Sequence, residues 1–481
     1  MSQTMINAVP MWINGRQVEP AGTRRGNVYA PTTGDVIRTV AFANAKDVDC
    51  AVRSAESAFE TWKETTALQR SRILSRFCDL LKINQEPLAR CISEEHGKSF
   101  SDAMGSMQRG IEVVEFAVGA PHLLKGAFSD NVARDIDCHS VLHPLGVCAG
   151  ITPFNFPAMV PLWMFPMALA CGNTYVLKPS EKVPSATMRM AELLKEAGLP
   201  DGVLNVLHGD AETVDALLAH PGIRAISFVG STPVARHIYA TATKNGKRIQ
   251  ALGGAKNHAI IAPDADMEAA ANALMGAAFG SAGQRCMAIS AVVAIGDAGD
   301  SIVELMAHKA RQLTPADTGP VITSGQCERI RTIIEEGISQ GASLTLDGRE
   351  WSAAGKSNGF YFGPTIFDRV TTEMGVYQKE IFGPVLVVLR VNSIEEAIGL
   401  VNRSPYGNGV AIFTKSGVTA RKFENEIQAG MVGVNVAIPI PMAFYSFGGW
   451  KDSLFGDLCM HGMEGVYFYT RRKTITSRWA K

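Results

Sequence analysis

The chain has 481 residues, about two to three domains by the usual length range, and its 46% hydrophobic and 19% charged content suits a large globular core. Its 46 basic and 46 acidic residues cancel, which argues against a nucleic-acid binder or a polybasic membrane protein. Nine cysteines without a C-x-x-C pair or a Cys/His cluster point to reduced thiols in a cytoplasmic setting, with neither a disulfide framework nor a metal site.

Met1 to Asn7 lacks a basic n-region and a long apolar h-region, so no export signal is expected. The first hundred residues read as helix-rich and dotted with charge, packing onto the domain that follows. From about Val141 to Leu252, β-type and helical runs alternate. Strands are expected at Val147 to Thr152, Thr174 to Leu177, Val203 to Leu207 and Ala225 to Val229, and helices at Pro157 to Ala170, Ser185 to Ala197, Ala211 to Ala219 and Pro233 to Ala242. Phe156 to Leu177 is long enough to span a membrane, but Pro157, Pro161 and Pro166 interrupt it and Cys171-Gly172-Asn173 breaks it, so a buried helix, a turn and a strand are expected. This alternation predicts an open parallel sheet with helices on both faces, which binds ligands beyond the carboxyl ends of its strands.

A second α/β region begins near Asn257. It has helical patterns at Asp266 to Phe279, Ser301 to Leu313 and Cys327 to Gln340, and strand patterns at Ala288 to Ile295, Ala342 to Leu346, Thr365 to Phe367 and Val385 to Arg390. Leu346 to Gly359 reads as a loop with a turn. This region carries Cys286, beside Arg285 and just after Gly283. A neighbouring cation favours the thiolate, and glycine lets backbone approach a substrate, so Cys286 is a candidate nucleophile; a lone cysteine is more often a small buried hydrophobe.

No G-x-G-x-x-G follows the expected strands. Two other segments stand at strand ends. Lys178-Pro179-Ser180-Glu181 offers a cation and a carboxylate to ribose hydroxyls, and Gly230-Ser231-Thr232 opens a helix whose N–H groups suit a phosphate. Read blandly, the first is a solvated turn and the second an N-cap.

The strings Thr152-Pro153-Phe154-Asn155-Phe156-Pro157, Lys178-Pro179-Ser180-Glu181, Phe228-Val229-Gly230-Ser231-Thr232, Leu252-Gly253-Gly254, Gly283-Gln284-Arg285-Cys286 and Glu380-Ile381-Phe382-Gly383-Pro384 resemble, in order and spacing, the aldehyde dehydrogenase superfamily over nearly the whole chain. The resemblance implies an α/β protein with a Rossmann-like NAD-binding domain (1–126 and 145–251), an α/β catalytic domain (252–450) and a small bridging β element (127–144 and 451–481) that makes a homo-oligomer, a dimer or tetramer. It implies Cys286 as nucleophile, Asn155 as an oxyanion donor, and Thr152, Phe154, Lys178, Glu181, Gly230, Ser231 and Glu380 around NAD. Glu181 facing the adenosine ribose would repel a 2′-phosphate and favour NAD over NADP.

Hydrolytic members carry a glutamate before Leu-Gly-Gly as the base that activates water; here that position is Ala251. Gln250 to His258, Asn435 to Pro441 and the tail from Phe468 to Trp479 resemble the CoA-acylating branch, which acts on malonate and methylmalonate semialdehyde. There CoA, whose thiol supplies its own nucleophilicity, takes the acyl group. The same resemblance implies that Arg109 and Arg285 grip the substrate carboxylate as a guanidinium pair. The alternatives are a hydrolytic aldehyde dehydrogenase with another base and a catalytically silent homologue acting as a binding protein.

Overall fold

The computed structural model describes residues 7–351 and 358–479. The expected loop from Leu346 to Gly359 therefore lies in part, at 352–357, outside the described residues, as does the start of the N-terminal segment.

Eight strands form the first sheet, in the spatial order Leu454–Phe455, Arg248–Leu252, Ile223–Val229, Val147–Ile151, Thr174–Lys178, Leu204–Val206, Met11–Ile13, Arg16–Val18. The five central strands are parallel and the edge pairings antiparallel. Chain order reverses between Val147–Ile151 and Ile223–Val229, and a crevice opens at such a point beyond the carboxyl ends. The helix Met159–Ala170 is buried at every residue, because both its sides face other elements of the core. Its membrane-like hydropathy is thus core packing, and among the described residues no helix is long and apolar enough to cross a membrane.

The second sheet has seven strands: Ser343–Leu346, Thr365–Asp368, Val385–Val391, Ile289–Ile295, Asn257–Ile261, Gly409–Phe413 and Met431–Val434, all parallel except the first. Its helices run close to expectation, although Ala298–Ala310 and Ser324–Ser339 each begin three residues early, the latter because Thr323 caps it through the Gln326 N–H. A third, antiparallel sheet joins Phe128–Ala133, Ile136–Pro144 and Thr470–Arg478. Leu454–Phe455, in the C-terminal segment, pairs into the first sheet and not into this small one.

The start of the chain departs from expectation. Five short strands precede the first helix, Ala45–Trp62, and Asn7–Val9, Asp35–Ala41 and Arg25–Ala30 form a sheet of their own. Strands of three residues carry too little periodicity to be read against their charged neighbours. One signal was present: Asn14-Gly15, with φ of 52° and 71°, is a hairpin turn joining the two antiparallel edge strands of the first sheet.

Candidate active site

The two sheets meet end to end. Thr152, Lys178, Gly230 and Gly253 stand at carboxyl ends in the first sheet, whereas Cys286 and Glu380 precede the amino ends of Ile289–Ile295 and Val385–Val391 in the second. A cavity of about 920 Å³ lies between them, lined by Thr152, Phe154, Asn155, Lys178, Glu181, Gly230, Ser231, Cys286 and Glu380 among others. Nine of the eleven residues singled out in the sequence are thus brought together.

Several features of this cavity suit a dinucleotide. The buried Thr152 hydroxyl has no hydrogen-bond partner among the described residues, so a ligand hydroxyl or phosphate would satisfy it. Burial lowers the Lys178 pKa, with Glu181, 3.5 Å away, opposing. Burial would raise that of Glu181, but Lys178 and Lys182 (2.9 Å) outweigh it and hold the carboxyl below its usual range. Glu181 therefore stays an ionised acceptor for ribose hydroxyls, though two cations offset the bare repulsion expected of it. At the helix Thr232–Lys244, the Gly230 N–H is spent on the Leu252 carbonyl at 3.1 Å. That one amide of the three-residue turn is therefore taken, while the N-cap Ser231 side chain makes no bond to its helix and faces the cavity. A Cβ at Gly230 would lie 2.4 Å from the Phe228 ring, so that turn admits only glycine without rearrangement.

Cys286 follows a tight turn in which Ser281, Ala282 and Gly283 all have positive φ. Two non-glycine residues there cost about 1–3 kcal/mol each, and such strain clusters at functional sites. Gly283 is obligatory, since a Cβ would meet the Gly383 carbonyl at 2.2 Å. Buried Gln284 pins the turn, donating to the Pro320 carbonyl (3.3 Å) and accepting from the Ile322 N–H (3.0 Å). The Cys286 carbonyl accepts from the side-chain amides of Asn257 (2.8 Å) and Asn408 (3.0 Å), which leaves the thiol facing the cavity. Asn155 donates from its side-chain amide to the Gln284 carbonyl at 3.0 Å, beside the cysteine. The sequence reading missed Gln284, Asn257 and Asn408 as supports, although all but Asn408 stand in segments it had singled out.

The thiol is less acidic than its neighbour suggested. Burial pushes Cys286 up to about 12, the Glu380 carboxylate adds to the rise, and Arg285 offsets it least. Arg285 is occupied instead: its guanidinium meets both Asp102 carboxylate oxygens at 2.5 Å and donates to the Gly276 carbonyl. Iodoacetamide alkylation of Cys286 in the free protein should therefore still accelerate with pH at pH 10, where a free cysteine, with a pKa of about 8.5, has levelled off. A rate plateau near pH 7, followed by peptide mass spectrometry, would show the opposite.

The two arginines do not converge on the large cavity. Arg285 lines a small adjoining one of about 20 Å³, with room for one water, together with Cys286, Asn257 and Glu380. Arg109, on the helix Phe100–Val118, pairs with Glu112 at 3.0 Å and touches the Met442 sulfur, lining neither cavity. Ala251 lies fully buried between Phe228 and Phe455 and contributes no base. Glu380, whose Oε1 accepts from the Ala255 N–H at 3.0 Å and whose pKa is raised by burial, is the sole carboxylate lining both cavities among the described residues.

The model of the aldehyde dehydrogenase family matches residues 18–475. The chain belongs to the aldehyde dehydrogenase family. Within it, malonate-semialdehyde dehydrogenase of Pseudomonas aeruginosa is 54% identical over 475 residues, 97% of this chain and 95% of that one. A Sinorhizobium meliloti protein solved with NAD superimposes with a TM-score of 0.98 at 50% identity, covering 100% of this chain and 99% of that one. The methylmalonate-semialdehyde dehydrogenase of Oceanimonas doudoroffii gives 0.97 at 53% identity, covering 99% of each.

Proposed function

We propose that this aldehyde dehydrogenase carries out the NAD-dependent, CoA-acylating oxidation of malonate or methylmalonate semialdehyde, with loss of carbon dioxide and release of acetyl-CoA or propionyl-CoA. The observation that carries the CoA step is position 251, where a methyl group sits in the apolar core and no carboxylate stands ready for water.

Thr152, Phe154, Lys178, Glu181, Gly230, Ser231 and Glu380 would hold NAD, which when bound supplies the acceptor for the hydride. The Cys286 thiolate attacks the aldehyde carbon, and the carbonyl pair moves to oxygen. Asn155 gives one amide N–H to Gln284 and has a second for that oxyanion, beside the Cys286 N–H. Loss of hydride from the same carbon restores the C=O as a thioester. The β-carboxylate leaves as carbon dioxide, its bonding pair going to an enolate oxygen held by the same donors, and protonation gives the acyl group that the CoA thiol removes. Tight arginine clamping opposes that loss. Asp102, by sharing the charge of Arg285, weakens the clamp, which suits a carboxylate that must depart.

The same reading assigns the carboxylate to Arg285 and Arg109, the latter after release from Glu112. Arg109→Leu is expected to raise KM for malonate semialdehyde about 10-fold or more, the worth of one charged hydrogen bond, while leaving KM for propanal nearly unchanged. Equal changes for both aldehydes in steady-state assays would remove Arg109 from the substrate site.

The divisions 1–126 with 145–251, 252–450, and 127–144 with 451–481 are proposed as NAD-binding, catalytic and bridging units. The third sheet, with Phe128–Ala133 exposed along its length, supports assembly into a dimer or tetramer. The nine free thiols support a cytoplasmic setting. A second reading, hydrolysis, has one observation in its favour: Glu380 and the one-water cavity both adjoin Cys286.

A further inference from the structure

Lys98 is a basic residue with 3% exposure, its pKa lowered by burial to about 7 against the pull of Asp102, and its position is built. The helix Gln85–His96 ends at Gly97, whose φ of +84° and whose Cα, too close to Pro320 for any Cβ, turn the chain inward, and Ser99 then caps the helix Phe100–Val118. The Lys98 ammonium donates to the Asn155 main-chain carbonyl at 2.7 Å and lies 4.2 Å from the Phe156 ring centre. It makes no ion pair within 4 Å among the described residues. Asp102, the nearby carboxylate, is already committed to Arg285. A buried ammonium is costly without a charge partner, and a carbonyl alone is a modest return in stability.

We propose that Lys98 is a positioning residue for the oxyanion site: it locks the Asn155 backbone while the Gln284 carbonyl locks its amide. This rests on the reading of Asn155 as an oxyanion donor. The two ends of Asn155 are then held by different segments, Lys98 from the N-terminal helices and Gln284 from the nucleophile turn. Such preorganised donors act mainly on the transition state and not on ground-state binding.

The test uses the full-length protein and the variants Lys98→Met, Lys98→Arg and Asn155→Ala. The single-turnover NADH burst with malonate semialdehyde is measured beside iodoacetamide alkylation of Cys286, which forms no oxyanion. Lys98→Met should slow the burst about 30-fold or more while alkylation stays within about twofold, and Lys98→Arg should recover most of the burst. A burst within about threefold of the parent in Lys98→Met overturns the proposal, as does a parallel fall of burst and alkylation, the sign of a merely structural role. If Asn155→Ala keeps its burst, the oxyanion reading fails; if Asn155→Ala loses it and Lys98→Met does not, only the role of Lys98 fails.

Discussion

Cys286→Ala is expected to abolish the NADH burst, with a loss of at least about 10⁴-fold in single-turnover rate. The proposed chemistry has no route around this thiol. Of the nine free cysteines, Cys286 alone lines either cavity, so no other sulfur can reach the same carbon. The thiol sits on a turn held through its carbonyl by Asn257 and Asn408 and through Gln284, and none of those bonds uses the sulfur. The variant should therefore fold with a stability change within about 1 kcal/mol. Stopped-flow absorbance with stoichiometric enzyme reads the burst, and a thermal melt serves as the control. A surviving burst with an unchanged melt would falsify the nucleophile assignment.

Withholding CoA is expected to leave one NADH per active site and then to slow turnover about 100-fold or more, since general-base help to water is worth at least that much. The acyl group waits on Cys286 because Ala251 is packed between Phe228 and Phe455 and cannot activate water. Adding CoA should restore turnover and yield acetyl-CoA and carbon dioxide in step with NADH. Mass spectrometry of the stalled protein should find the acyl adduct on the peptide containing Cys286. Glu380 makes this a real contest, since it adjoins both Cys286 and a cavity with room for one water. Sustained release of free acid without CoA would establish the hydrolytic reading instead, with Glu380 as its base if Glu380→Gln keeps the NADH burst and loses the release.

Much of this was legible along the chain. The β/α alternation placed Thr152, Lys178 and Gly230 at strand ends, and the structure gathers those ends around one cavity. The reading faltered where charge or periodicity was an ambiguous guide. The opening strands are too short to show a period. Lys98 and Asp102 belong to no motif singled out along the chain, yet Lys98 is buried against Asn155 and Asp102 holds Arg285. Arg109 was expected beside Arg285, but their side chains are committed to separate partners, Glu112 and Asp102.

The sequence alone determined which chemistry is on offer. A cysteine after Gly-Gln-Arg, an asparagine in the loop after Val147–Ile151 and an alanine where a base would stand are properties of side-chain type, and type is written residue by residue. Tertiary structure decided how those groups behave. The acidity of Cys286 follows from burial and from Glu380, far along the chain, more than from adjacent Arg285. Electrostatic energy depends on distance through space and on exclusion of water, and both arise only when two sheets bring their ends together over the same thiol.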